Sequence, residues 1–134
     1  MAPRALVLLA TGAEEMETVI TVDVLRRGGV EVILAGIDGD NIVTCSRNVK
    51  ISPDTSLADT CQDQYDCVVL PGGGPGAAAL GASKEVGQLL AQQDQAGTKI
   101  FTIFLILNFK YLYSSKVGLL LLSAQHLLPY WLTR

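Results

Sequence analysis

The amino-acid sequence predicts an α/β domain, doubly wound around a parallel sheet. Three observations predict it: unbroken apolar runs at Ala5–Ala10 and Val30–Gly36, an amphipathic pattern between them, and a glycine-rich loop directly after a third apolar run. Unbroken runs, as opposed to alternating ones, are what strands covered on both faces require.

Ala5–Ala10 is the first strand and Thr11-Gly12-Ala13 a short loop. From Glu14 a helical pattern begins, with Met16, Ile20 and Val24 spaced as one apolar stripe and the acids Glu14, Glu15 and Glu17 near the positive end of the helix dipole. Gly28-Gly29, after Arg26 and Arg27, ends it. Val30–Gly36 then completes a strand–helix–strand unit. Asp38-Gly39-Asp40-Asn41 is a turn, and Ile42–Thr44 with Val49–Ile51 reads as a small hairpin-like excursion. Ser52-Pro53-Asp54 and Ser56 open a short helical stretch. Asp66–Leu70 is the third core strand, Pro71–Gly76 its glycine loop, and one helix follows to about Gln95. Ile100–Leu107 is expected as the fourth core strand, and the chain contains no internal repeat.

With 134 residues, 49% of them hydrophobic and 17% charged, the chain is long and apolar enough for one packed domain. A net charge of −3 gives no footprint for nucleic acid, which needs clustered Lys and Arg. The three cysteines, Cys45, Cys61 and Cys67, are odd in number and lack C-x-x-C spacing, which favours a reducing compartment and no metal. The start lacks the apolar length of a secretory leader. Composition breaks near residue 99: up to there stand 7 basic residues, 13 acids and one aromatic (Tyr65), and after it 3 basic residues, no acid and 7 aromatics. The expected organisation is therefore the front part of a domain at 1–99 and a divergent apolar tail at 100–134, the chain stopping before that domain is complete.

In a flavodoxin-like strand order the first and third strands are neighbours, and ligands bind at their carboxyl ends. The loop after strand one carries Glu17, and the loop after strand three carries Gly72–Gly76. Two distant pieces of sequence thus converge on one crevice. Consecutive glycines let backbone amides approach a bound anion or oxyanion, or simply make a tight turn, and the spacing alone leaves both open. It is not a Walker A loop, and as a dinucleotide fingerprint it follows the wrong strand, with Pro75 removing a donor. Glu17 is either a dipole partner of its helix or a carboxylate poised beside a nucleophile.

Arg4–Val7, Gly12–Ile20, Cys45-Ser46-Arg47 and Tyr65–Gly73, four separated motifs in order, resemble the DJ-1/PfpI family over residues 4–99. The resemblance implies a flavodoxin-like sheet of the class I glutamine amidotransferase type, in a homodimer, with a reactive cysteine on a strand-to-helix elbow. It implies that Glu17 hydrogen-bonds that cysteine, that the amides of Gly72 and Gly73 form the oxyanion site, and that Met16, Asp23, Arg27 and Arg47 lie at or near the dimer contact. It further implies glyoxalase and deglycase chemistry on small reactive carbonyls, redox-sensitive chaperone behaviour, protection against oxidative stress, and residence in cytoplasm, nucleus and mitochondrion. No cofactor or metal is implied.

One departure alters that expectation. Counted on without gaps, the elbow falls at Thr102–Leu107, with Phe104 in the cysteine slot, and the chain has no cysteine after Cys67. His126, the single histidine, sits in Leu-rich surroundings that match no family motif. The expected product is a nucleophile-less variant, pairing as a homodimer or with a full-length relative. A second reading is a small anion or nucleotide held at Gly72–Gly76. A third is membrane association through Val117–Thr133, but these 17 residues include Gln125, His126 and Pro129 and fall short of the roughly 20 apolar residues of a span. A tail outside the domain's usual sequence is favoured over an anchor.

Overall fold

The computed structural model describes residues 1–102. The expected strand beyond Thr102, the slot at Phe104, His126 and the span-like stretch Val117–Thr133 all lie outside the described residues.

A five-stranded parallel sheet forms the centre. Its strands are β1 (Arg4–Leu9), β2 (Glu31–Gly36), β5 (Thr55–Ser56), β6 (Cys67–Leu70) and β7 (Lys99–Thr102), in the order β5-β2-β1-β6-β7. Between them run α1 (Glu15–Arg27), α2 (Leu57–Thr60), α3 (Gly74–Ala82) and α4 (Lys84–Gln95), and β3 (Val43–Thr44) with β4 (Lys50–Ile51) makes a separate antiparallel hairpin. β1 pairs in parallel with both β2 and β6, so the first and third core strands are neighbours as a flavodoxin-like order requires. The two-residue β5 at the edge was not legible as a strand.

Both faces of β1 are buried, which explains its unbroken apolar run. Leu6 and Leu8 pack with Leu57, Val68, Leu80, Val86 and Leu89 on one side. Ala5, Val7 and Leu9 pack with Val22, Leu34, Val43, Cys45 and Val69 on the other.

Two expectations fail in instructive ways. The stripe Met16, Ile20 and Val24 does not face the core: these residues are 58–59% exposed, and Val19 beside them is 51% exposed. The face of α1 that meets the sheet carries Thr18, Val22 and Leu25, with Glu15 and Glu17 also buried. Periodicity locates an apolar stripe but not what covers it. The single helix expected after the glycine loop is two helices, broken at Ser83. Its extended backbone (ψ 119°) closes α3, and its hydroxyl accepts the Val86 amide at 3.3 Å to open α4.

At the amino-terminal end of the sheet, Gln93 of α4 is 2% exposed and ties three segments together. Its Nε2 donates to the Asp63 carbonyl at 2.9 Å, while its Oε1 accepts from the Thr98 hydroxyl at 2.8 Å and from the Tyr65 amide at 3.4 Å. Gln93→Ala takes that partner from the Asp63 carbonyl and the Tyr65 amide, while the Thr98 hydroxyl keeps the Tyr65 carbonyl at 2.8 Å. It is expected to cost about 1–3 kcal/mol in urea unfolding, with unchanged cooperativity.

Candidate functional site

The crevice at the carboxyl ends of β1 and β6 is built by direct contact of two loop backbones. The Glu14 amide donates to the Gly72 carbonyl at 2.8 Å, and the Gly76 amide donates to the Gly12 carbonyl at 3.2 Å. Only glycine permits this approach at three positions, the first being Gly12, where a Cβ would stand 2.5 Å from that of Pro75. A Cβ on Gly73, whose φ is +97°, would stand 2.6 Å from the Glu14 nitrogen and 2.7 Å from the Gly12 oxygen. A Cβ on Gly76 would stand 2.6 Å from both the nitrogen and Cα of Ala13. The glycine run is therefore needed first for packing one loop on the other.

Glu17 is not in the loop after β1 but in the first turn of α1, 4% exposed. Its backbone amide is capped by the Glu14 carboxylate at 3.0 Å, and its own Oε2 accepts the Gly72 amide at 2.5 Å. The sequence-predicted acid and glycine loop are thus brought into contact across 55 residues of chain. Gly72, one of the two amides expected to face an oxyanion, donates to Glu17. Of the other donors in the loop, Gly76 is turned on Gly12, Ala77 bonds the Gly73 carbonyl at 2.7 Å, and Pro75 has no N–H. Among the described residues, the amides of Gly73 and Gly74 have no such partner.

Sequence reasoning missed the part played by Glu15. Beside Glu17 on α1 and 7% exposed, it accepts the Ser46 hydroxyl on Oε2 and the Arg47 amide on Oε1, both at 2.7 Å. Burial works against its charged form, but the Ser46 hydroxyl and the amides of Glu15, Arg47 and Val49 outweigh it and hold the carboxyl below its ordinary range. Such a group stabilises the fold above its unfolded pKa, and that contribution is lost as pH falls through the lower folded value. No local signal reveals this, because the partners lie 31 and 32 residues away.

None of the three thiols is placed where Glu17 meets Gly72. Cys45, 4% exposed, packs in the core beneath the hairpin, and burial followed by the nearby acids Glu15 and Glu14 pushes its thiol up. Cys61 caps the end of α2, its Sγ 3.6 Å from the Ala58 carbonyl. Cys67 opens β6 at the far end of the sheet, roughly 16 Å of extended chain from Gly72. Burial drives its thiol up to about 12.

Of the residues expected near a dimer contact, Met16, Asp23 and Arg27 share the exposed face of α1, where Arg27 Nε pairs with Asp23 at 2.9 Å. Arg47 is exposed at the hairpin tip, its guanidinium 3.3 Å from the Ser46 carbonyl. An open groove of about 260 Å³ lined by Thr18, Val22, Asp23, Arg26 and Leu34 runs beside α1, away from the crevice.

The DJ-1/PfpI family model matches residues 3–105. The chain belongs to the DJ-1/PfpI family. It is 53% identical over 103 residues to protein dj-1beta of Drosophila melanogaster, covering 77% of this chain and 55% of that one. It is 56% identical over 97 residues to the Parkinson disease protein 7 homolog of Danio rerio, covering 72% and 50%. A further relative, at 39% over 100 residues with 74% and 53% covered, is the glutathione-independent glyoxalase DJR-1.2 of Caenorhabditis elegans. The crystal structure of Drosophila DJ-1beta superposes with a TM-score of 0.76 over 77% of this chain and 55% of that chain, at 53% identity. The chain spans about half the length of the curated relatives it matches.

The two middle glycines of the loop separate by substitution. Gly73→Ala meets both a positive φ and a backbone collision, and is expected to lose at least about 2 kcal/mol in urea denaturation. Gly74→Ala points its methyl into open space and is expected to stay within about 0.5 kcal/mol of the parent.

Proposed function

We propose that this chain is a catalytically silent DJ-1/PfpI domain. It keeps the acid and the glycine loop of a site for small reactive carbonyls but lacks the thiol that would attack them. The family's glyoxalase- and deglycase-type chemistry needs a thiolate between a carboxylate and backbone donors, so that the attacked carbonyl oxygen is stabilised as negative charge develops. What supports the reading is the position of the sulfurs: Cys45 is enclosed in the core, Cys61 ends α2, and Cys67 starts β6 at the opposite end of the sheet. Counted along the sequence without gaps, the cysteine's place falls on Phe104, and no cysteine follows Cys67. Loss of a nucleophile removes on the order of 10⁶ in rate.

The acid and the glycine loop stay in contact through the bond from the Gly72 amide to Glu17. The composition changes at 99/100, where acids cease and aromatics accumulate, but Ile100–Thr102 still pair with β6, so we place the divergent tail after β7. The free cysteines suit the cytoplasm. No helix among the described residues is long and apolar enough to cross a membrane. The domain pairs, on this reading, with a second copy or a full-length relative through the exposed face of α1. Met16, Val19, Ile20 and Val24 line one side of that helix and are each more than half exposed.

Purified protein incubated with methylglyoxal is expected to consume none above a buffer control. Robust consumption that Glu17→Ala abolishes would refute the proposal. In sedimentation velocity at micromolar concentration the chain is expected to run as a dimer and Ile20→Lys as a monomer. A monomeric parent would remove the pairing from the reading.

A further inference from the structure

We infer that Glu15 is a latch: its carboxylate holds the β3–β4 hairpin as a strap across the β1–α1 loop, and releasing the strap uncovers Cys45. The hairpin has only two cross-strand pairs, Val43 with Ile51 and Thr44 with Lys50, and is no part of the five-stranded sheet. A ribbon so short does not hold itself together in water. Its order comes from what it is tied to.

Four short hydrogen bonds among the described residues tie it to the segment after β1, and the Val49 amide also faces the Glu15 carboxylate. The Gly12 amide donates to the Thr44 carbonyl and the Ser46 amide to the Ala13 carbonyl, both at 2.9 Å. The Ser46 hydroxyl and the Arg47 amide converge on the two oxygens of Glu15, both at 2.7 Å. The first two are neutral backbone bonds, whereas the last two end on a carboxylate and are about twice as strong. Glu15 is also the one anchor that is a side chain, fixed by the first turn of α1.

The turn is shaped to meet it. The Cys45 amide donates to the Val49 carbonyl at 2.8 Å and the Asn48 amide to the Cys45 carbonyl at 3.1 Å, with Asn48 at φ +65°. This folding leaves the Arg47 amide and the Ser46 hydroxyl directed at Glu15. The charged groups nearby are Arg47 and Lys50 on the hairpin and Glu14 and Glu17 on α1. No ion pair joins Glu15 to either cation among the described residues. Neutral donors hold the carboxylate, so the latch is insensitive to salt, unlike a surface ion pair.

Cys45 lies between two tied residues, Thr44 and Ser46, and is covered while both are tied. Its reaction with an alkylating agent therefore reports the fraction of time the strap is open. This role is independent of the proposed catalytic silence, since it concerns neither Glu17 nor the nucleophile.

The test is site-resolved alkylation of the full chain with N-ethylmaleimide at neutral pH, each cysteine followed by peptide mass spectrometry. Glu15→Ala is expected to speed modification of Cys45 about tenfold, Ser46→Ala to speed it less, and both to leave Cys61 and Cys67 at parental rates. Parental rates at Cys45 in both variants would overturn the latch. If Glu15→Ala speeds all three cysteines together, Ser46→Ala decides: a rise confined to Cys45 supports the latch, and no rise or a uniform one overturns it. Raising the salt concentration to 1 M is expected to leave the parental Cys45 rate unchanged within twofold, and a marked rise there would show that the strap is held by exposed ion pairs instead.

Discussion

The contact of two loop backbones at the carboxyl ends of β1 and β6 is the constraint on which the rest of this structure depends. Gly12 and Gly76 are linked by an amide-to-carbonyl bond, Glu14 and Gly72 by another, and no side chain fits between. Because the loops touch, α1 starts directly over the glycine run, and a carboxylate two residues inside that helix reaches the Gly72 amide. A β-carbon at Gly73 or Gly76 would push the loops apart and withdraw Glu17 from its partner. Packing and chemistry are inseparable here: the same glycines that permit the approach supply the amides of the crevice.

Helix α1 inverts the usual allocation of its side chains. It buries Glu15, Glu17 and Thr18 and leaves Met16, Val19, Ile20 and Val24 in solvent. Each buried acid has donors: Glu15 those of the hairpin, Glu17 that of the glycine loop. A carboxylate removed from water survives only with such partners, since an uncompensated one costs several kcal/mol. The two consequences are linked, because turning the acids inward rotates the apolar stripe outward. One helix therefore serves three neighbours: the crevice through Glu17, the hairpin through Glu15, and through its outer face a surface that water alone covers poorly.

The sheet order, the strand–helix–strand unit, the hairpin and the two loops that converge were all legible in the sequence. Parallel strands buried on both faces write themselves as unbroken apolar runs, and turns that need positive φ write themselves as glycine. The family motifs were legible for the same reason, since Gly12–Ile20 and Tyr65–Gly73 hold both the crevice and the packing around it. Less legible were the break at Ser83, where one serine ends a helix and begins the next, and the edge strand β5, too short to show a period.

By itself, then, the sequence determined the layered fold, the family, and the presence of an acid and a glycine loop with no cysteine beyond Cys67, since these are matters of period, composition and identity. Only the tertiary structure decided which face of α1 is buried and which amide Glu17 takes. It alone revealed that Glu15 holds a hairpin more than thirty residues away. The reason is physical: a repeat along the chain records that a side chain is apolar or acidic, whereas its partner is set by whatever the closed chain brings within hydrogen-bonding distance.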